Sequence, residues 1–337
     1  MTLTAFVTGG SGFVGAALVR RLIADGASVR ALARSDSAAA KVAAAGAIPV
    51  HGCLEDLPNL TEGLRACDVI FHCAACTDEW NRCEVFEQVN VEGTKAVLEA
   101  CRRAHVPRCV HVSTEAALWA GQPLINVNED APLRPDSKVF YCATKARAEQ
   151  VVMDANGKGG LETVIVRPRL IWGRGDMTFL PALLAAIRTG RFRWVGGGEH
   201  LTATTHVDNA VEGLVRAAAS ERCGRVWFVT DGDPIPFRQF VTERVATQGV
   251  TVPDKSIPAP LADAAAAAME TTWRVLHLSG TPPLTRMAVW LSTLEVTIDI
   301  SRAQEELRYR PVTDRAEGLA KLSETDASRA RSPTDDS

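Results

Sequence analysis

The chain has 337 residues, 46% hydrophobic and 23% charged, with a formal net charge of −3, a balance ordinary for a folded protein of one to three domains. It lacks the basic excess of a nucleic-acid binder, and its longest apolar stretch, Leu261 to Met269, is too short to insert across a bilayer. Nine cysteines with one close pair, Cys73 and Cys76, and no His partner at ligand spacing argue against a metal site; with no signal peptide before the first strand, they point to a reducing cytoplasm.

Leu3 to Thr8 is a short apolar run, as expected of a strand buried on both faces. It leads into Gly9, Gly10, Gly12 and Gly15 and then a helical pattern. Glycines there permit a tight turn and close approach of a pyrophosphate to a helix N-terminus, where free N–H groups and the macrodipole favour anions. The strand–glycine–helix order makes this a dinucleotide site, with Gly9, Ser11, Gly12, Phe13, Val14 and Gly15 as its expected contacts.

Ser28 to Ala33 reads as a second strand, Asp36 to Gly46 as a helix, Ala47 to His51 as a third strand and Leu60 to Cys67 as a short helix. Val69 to Cys73 is a fourth strand, Arg82 to His105 a long helical segment and Arg108 to Ser113 a fifth strand. Alternating strands and helices demand right-handed crossovers, giving an α/β fold with a doubly wound parallel sheet of Rossmann type. Residues 120–138 are loop-like, Lys138 to Asn156 is a strong helix and Thr163 to Val166 a sixth strand. A helix at Thr178 to Gly190, a strand at residues 192–197 and a helix at Val207 to Ala219 follow, and Val226 to Thr230 returns to the sheet. Residues 1–166 and about 203–232 thus form the dinucleotide domain, while 167–202 and 233–322 form a smaller α-rich substrate lobe. The polar stretch 323–337 is expected to be a disordered tail.

Tyr141 and Lys145 stand four residues apart near the start of the helix at Lys138, on one face and one turn apart. A phenol with a pKa near 10 is a poor acid or base at neutral pH. A neighbouring ammonium and an oxidised nicotinamide favour the phenolate and bring it into a useful range. Carboxyl ends of parallel strands carry the site in such sheets, so Ser113 or Thr114, ending the fifth strand, could orient a substrate oxygen.

Several ordered motifs resemble a family. They are TGGSGFVG (Thr8–Gly15), DVIFHCAA (Asp68–Ala75), NVEGT (Asn90–Thr94), VST (Val112–Thr114), YCATK (Tyr141–Lys145) and RPRLIWGRGD (Arg167–Asp176). The chain resembles an extended short-chain dehydrogenase/reductase, in the branch of 3β-hydroxysteroid dehydrogenase-like and NAD-dependent epimerase/dehydratase proteins, through about Leu322. The resemblance implies that Tyr141 is the acid/base, that Lys145 binds the nicotinamide ribose and lowers the phenol's pKa, and that Thr114 rather than Ser113 supplies the hydroxyl. It also implies that Asp68 supports the glycine loop, that Ala74 and Ala75 pass beneath the cofactor, that Asn90 braces the strands, and that Pro168 lies near the carboxamide. A homodimer through the two long helices is a further implication.

Where NAD enzymes place an acid at the end of the second strand, this chain has Ala33, Arg34 and Ser35. Arg34 suits a 2′-phosphate, so NADP is preferred over NAD, with Asp36 close enough to keep NAD open. Cys53 stands where the family often has an acid near the adenine, leaving the contact to the Leu54 backbone. Candidate substrate-wall residues are Trp80, Trp119, Trp172 and Phe179, with Trp194 and His200 beside them. Arg188, Arg191 and Arg193 could hold a sugar-nucleotide diphosphate, but the flanking aromatics suit an apolar ligand. His72 and His111 are expected to be core histidines with satisfied nitrogens. The expected activity is reversible NAD(P)-dependent oxidation of a secondary alcohol on a hydroxysteroid-like or β-hydroxy/β-keto small molecule. The alternatives are a sugar-nucleotide epimerase/dehydratase retaining NAD and a non-catalytic cofactor-binding regulator.

Overall fold

The computed structural model describes residues 2–330. Seven strands form the central sheet: β1 (Thr4–Thr8), β2 (Ser28–Ala33), β3 (Ile48–His51), β4 (Val69–His72), β5 (Arg108–Val112), β6 (Glu162–Pro168) and β7 (Arg225–Val229). They pair in parallel in the order β7-β6-β5-β4-β1-β2-β3. The chain starts in the middle, winds to one edge, returns to β4 and winds to the other. That reversal opens a crevice at the carboxyl ends of β1 and β4.

Successive strand residues point to opposite faces, and both faces are apolar. Val7, Phe71 and Val110 face α1 (Phe13–Ala24), α2 (Asp36–Ala44) and the helix Val207–Ala219, meeting Leu18, Val19, Val42, Val211 and Leu214. Phe6, Ile70 and Cys109 face the other layer, meeting Leu60 of α3 (Leu57–Gly63), Val97, Leu98 and Cys101 of α4, and Val152 of α5 (Phe140–Ala155). Helix α4 opens as Cys83–Phe86, passes through a six-residue π segment, Glu87–Glu92, and continues as Gly93–Ala104. Strands buried on both sides carry no polar alternation, which is why they read as continuous apolar runs.

Three local expectations need correction. Helix α3 starts at Leu57 because the Asp56 side chain caps Asn59 N with a proline at the second helical position, and it stops well before Cys67, where Ala66 turns to φ +57°. A second, small sheet lies outside the central one. Leu124–Val127, Val296–Ile298, Leu201–Thr202 and Ile235–Pro236 form a four-stranded sheet, the first of them inside the segment expected to be loop. The last helix, Arg315–Ala330, continues through the first eight positions of the expected tail, and residues 331–337 lie outside the described residues. Among the described residues no helix is long and apolar enough to cross a membrane.

Candidate active site

The crevice is floored by the glycine turn. Gly9 has φ +70°, and a Cβ there would lie 2.8 Å from the Ala74 nitrogen. A Cβ on Gly15 would lie 2.2 Å from the Gly9 oxygen, so α1 meets the turn backbone to backbone. Gly12 is the N-cap of α1 and offers no side chain to its amides, and the first turn holds no acidic residue. The result is an uncapped, positive helix end in a cradle free of side chains, which fits a pyrophosphate. A second loop closes on it: a Cβ on Gly175 would touch the Phe13 ring at 3.5 Å.

Polar clamps fix the neighbouring strand ends. The Thr8 hydroxyl bonds His72 Nδ1 at 2.8 Å and accepts from Ala74 N at 3.2 Å, while His72 Nε2 meets the Thr94 hydroxyl at 3.0 Å. Ala74 and Ala75 are thereby held under the glycine turn. Asn90 lies within the π segment, accepts from Cys76 N at 2.8 Å and donates to Cys76 O and the Thr144 hydroxyl at 3.2 and 3.1 Å. It braces the loop after β4 against α5. Asp68 does not support the glycine loop. It accepts from Thr4 N at 2.7 Å at the opposite, amino end of β1. His72 has satisfied nitrogens as expected, but buried His111, its ring 5.2 Å away, has no partner on either nitrogen. Burial, with Lys145 nearby, keeps both rings neutral and pushes His72 down to about 3.

Tyr141, Lys145 and Glu149 recur at spacing four along α5 and face the end of β5. Buried Lys145 donates to Val112 O at 2.8 Å. Burial lowers its pKa to about 8, against the pull of Glu149. Ser113 is committed elsewhere: its hydroxyl donates to Glu149, which also takes Arg167 Nε on its two oxygens at 3.0 and 3.1 Å. Thr114 instead donates to Glu115 Oε2 at 2.7 Å, accepts from Ala116 N at 3.2 Å and faces the Tyr141 phenol. Glu115 is itself buried and ion-paired with Arg169, whose guanidinium lies 5.3 Å over Trp119. Burial first, then the Glu115 charge, pushes the Tyr141 phenol up, with Thr114 opposing. Lys145, whose ammonium donates to the Val112 carbonyl, is not among the groups acting on the phenol here. In this arrangement the phenol holds its proton.

Trp80 lines a cleft with Phe86, Phe140, Tyr141 and Arg274. Of the other expected wall residues, Trp119, Trp172 and Trp194 are buried in the interior, and Phe179 and His200 are half-buried. Trp119 is wholly buried with its indole N–H on Gln122 O at 2.7 Å, and buried Trp172 donates to Asp231 at 2.7 Å. Phe179 packs among Phe237, Phe240 and Arg244, Trp194 is buried against Phe192, and His200 stacks on Phe237. Arg34 and Ser35 are exposed at the end of β2, where the Ser35 side chain caps α2. Leu54 follows β3 and packs under α4 at Gly93, and Pro168 ends β6 beside Val229. Among the described residues no group of three or more His, Cys, Asp or Glu could hold a metal. Glu149 escaped the sequence reading although it continues the spacing of Tyr141 and Lys145. Glu115 adjoins the named hydroxyls, yet nothing local marks it as buried. Arg274 reaches the cleft only through tertiary packing.

A model of the 3-beta hydroxysteroid dehydrogenase/isomerase family matches residues 6–259. The chain is 48% identical over 317 residues to the 4-hydroxy-2-methyl-3-oxo-4-farnesyl-3,4-dihydroquinoline-1-oxide ketoreductase of Stigmatella aurantiaca, covering 94% of this chain and 95% of that protein. It is 36% identical to the 2-alkyl-3-oxoalkanoate reductase of Stenotrophomonas maltophilia (strain K279a), covering 95% of this chain and 98% of the relative. The fold superposes on the crystal structure of gox2253 with a TM-score of 0.78 at 26% identity, covering 98% of this chain and 99% of that one. The glycine cradle, the tyrosine–lysine helix and the family match over three quarters of the chain agree: it belongs to the 3-beta hydroxysteroid dehydrogenase/isomerase family and is an oxidoreductase of the short-chain dehydrogenase/reductase type.

Proposed function

We propose that the protein is an NADP-dependent ketoreductase, reversibly a secondary-alcohol dehydrogenase, acting on an apolar ketone, with Tyr141 as the acid/base. The observation that carries this is the Thr114 hydroxyl, just past the carboxyl end of β5, facing the Tyr141 phenol, while Tyr141 also lines the neighbouring cleft. A nicotinamide dinucleotide with its pyrophosphate in the glycine cradle would supply the two-electron donor or acceptor. Thr114 orients the substrate oxygen, releasing its bond to Glu115 to do so. Tyr141 gives its proton to that oxygen as the ketone becomes an alcohol, and takes it back in oxidation. A phenol held protonated by burial and by Glu115 suits the reducing direction. Lys145, buried one turn below, holds the cofactor ribose and restores charge balance beside the tyrosine.

Support for NADP comes from the end of β2, where Ala33 replaces a carboxylate and exposed Arg34 stands beside the α2 N-cap. Trp80, Phe86, Val139 and Phe140 give the cleft one apolar side, beside the polar Glu79, Asn81, Glu270 and Arg274. The arginines considered for a diphosphate are not part of that wall, and Arg193 already donates to the Gly190 and Phe192 carbonyls. The names of the relatives, a ketoreductase and a 3-oxoalkanoate reductase, lie in the same class. The test is a screen of hydroxysteroids, 3-hydroxy acids and their esters, and UDP- or GDP-sugars, following nicotinamide absorbance with each cofactor. Tyr141→Phe should lower kcat on every accepted compound by about 10² to 10⁴ while cofactor binding persists. Turnover equal to wild type would refute the assignment.

A further inference from the structure

The cleft beside Tyr141 contains one cation with no counter-ion. Arg274, on the helix Ala259–Val275, reaches back to the active site and lies between two aromatic rings, 4.8 Å from the centre of Trp80 and 4.5 Å from that of Phe140. Phe140 is the neighbour of Tyr141, so the guanidinium shares its wall with the reacting residue. Two carboxylates line the same cleft, and neither neutralises Arg274. Glu270, one turn earlier on the helix, binds the backbone N–H and the guanidinium of Arg286 at 2.7 and 2.9 Å. Glu79 lies 3.5 Å from the Thr285 hydroxyl. Among the described residues no carboxylate lies within ion-pairing distance of Arg274.

A guanidinium stacked on two rings loses part of its hydration but keeps its in-plane N–H donors free. Such a group binds a planar oxyanion in bidentate fashion. If the cleft took only neutral apolar compounds, a half-buried charge there would be a cost with no return.

Resting on the ketoreductase reading above, we infer that Arg274 anchors a carboxylate on the substrate, so that the compound reduced is a keto acid rather than a neutral ketone. Its carbonyl meets Tyr141 and its carboxylate meets Arg274, while its acyl chain runs out of the cleft, which has only about 10 Å³ of open volume. Nothing in the proton transfer changes. The arginine acts on binding and on choice of substrate.

The pair 3-hydroxydodecanoate and methyl 3-hydroxydodecanoate tests this, with 2-dodecanol as a neutral alcohol and each compound oxidised with NADP⁺ at fixed pH. Wild type should prefer the acid to the ester by about tenfold or more in kcat/KM. In Arg274→Gln that ratio should fall about tenfold, chiefly through KM for the acid, and Arg274→Lys should recover part of it. Dodecanoate should inhibit wild type competitively and lose about tenfold in affinity in Arg274→Gln. The inference is overturned if wild type prefers the ester or 2-dodecanol, or if Arg274→Gln lowers acid and ester alike, since a packing role would do that. If none of the three compounds and none of the wider screen moves the nicotinamide absorbance, the ketoreductase reading itself fails and this inference fails with it.

Discussion

The two adjacent hydroxyls that end β5 give the sharpest test of the mechanism. Ser113 spends its proton on Glu149, and Glu149 keeps both Nε contacts and a further bond from Arg167 when that serine is removed. Ser113→Ala therefore leaves the buried carboxylate paired, and it should cost about 1.5–3 kcal/mol of stability, the net worth of one bond to a charged group. Thr114 has a different set of obligations: it caps the Glu115–Leu118 turn through Ala116 N and bonds Glu115. Thr114→Val loses the cap and that bond, about 2–5 kcal/mol together, and no more because Glu115 keeps Arg169. Thr114→Val should thus have the lower urea midpoint, but the kinetics separate the two variants far more. If Thr114 orients the reacting oxygen, Thr114→Val loses one donor aimed at developing charge, worth about 10² to 10³ in kcat. Ser113→Ala should stay within about threefold of wild type. Thr114→Ser, which restores hydroxyl and cap together, should return most of the rate. Steady-state reduction followed by nicotinamide absorbance, beside urea unfolding of each variant, reads all of this. Equal losses of kcat in Ser113→Ala and Thr114→Val would refute the assignment.

Two more outcomes follow from charge. Burial lowers Lys145 from its ordinary value to about 8, so between pH 8 and the unfolded value near 10.5 the unfolded chain binds a proton that the folded chain does not. Stability of the cofactor-free protein should therefore rise with pH across that window, by up to about 3 kcal/mol relative to Lys145→Met, as read by urea unfolding at several pH values; a parallel pH dependence in the two proteins would contradict the burial argument. At the cofactor's far end, Arg34→Glu should raise KM for NADP about tenfold or more and leave NAD within about threefold. An unchanged ratio of kcat/KM between the two cofactors would remove Arg34 from the phosphate site.

The sheet was legible because its strands are buried on both faces. Phe6 and Val7, or Ile70 and Phe71, serve opposite helical layers, and such strands announce themselves as unbroken apolar runs between helical patterns. The glycine turn was legible for a similar reason: a Cβ at Gly9 or Gly15 would strike backbone, so the spacing is dictated by contact. Tyr141, Lys145 and the Thr114 hydroxyl came from motif and position together. The tryptophans were misread because an aromatic near a strand end can face either the cleft or the interior. Trp80 faces the cleft, whereas Trp119 and Trp172 find interior acceptors for their indole N–H groups in Gln122 and Asp231. Asp68 was misplaced because its neighbours in sequence belong to β4, while its partner, Thr4, is at the start of β1.

What the sequence could not convey is which charges survive unpaired after folding. Glu149, Glu115 and Glu270 are all matched to arginines far along the chain, Arg167, Arg169 and Arg286, and each pairing withdraws one acid from the active-site region. Those withdrawals decide the chemistry left over. Glu149 takes Ser113 out of contention, Glu115 adds to the burial that keeps the Tyr141 phenol protonated, and Glu270, by choosing Arg286, leaves Arg274 without an acid. These buried ion pairs thus select the catalytic hydroxyl and keep the Arg274 guanidinium open in the cleft. A buried pair is costly to break on one side only, so these three choices are coupled to folding rather than free to drift. Moving the acid, for example by Glu270→Gln with Arg286→Met, should leave Arg274 and the acid-over-ester preference intact. Placing a new carboxylate against Arg274 should abolish that preference.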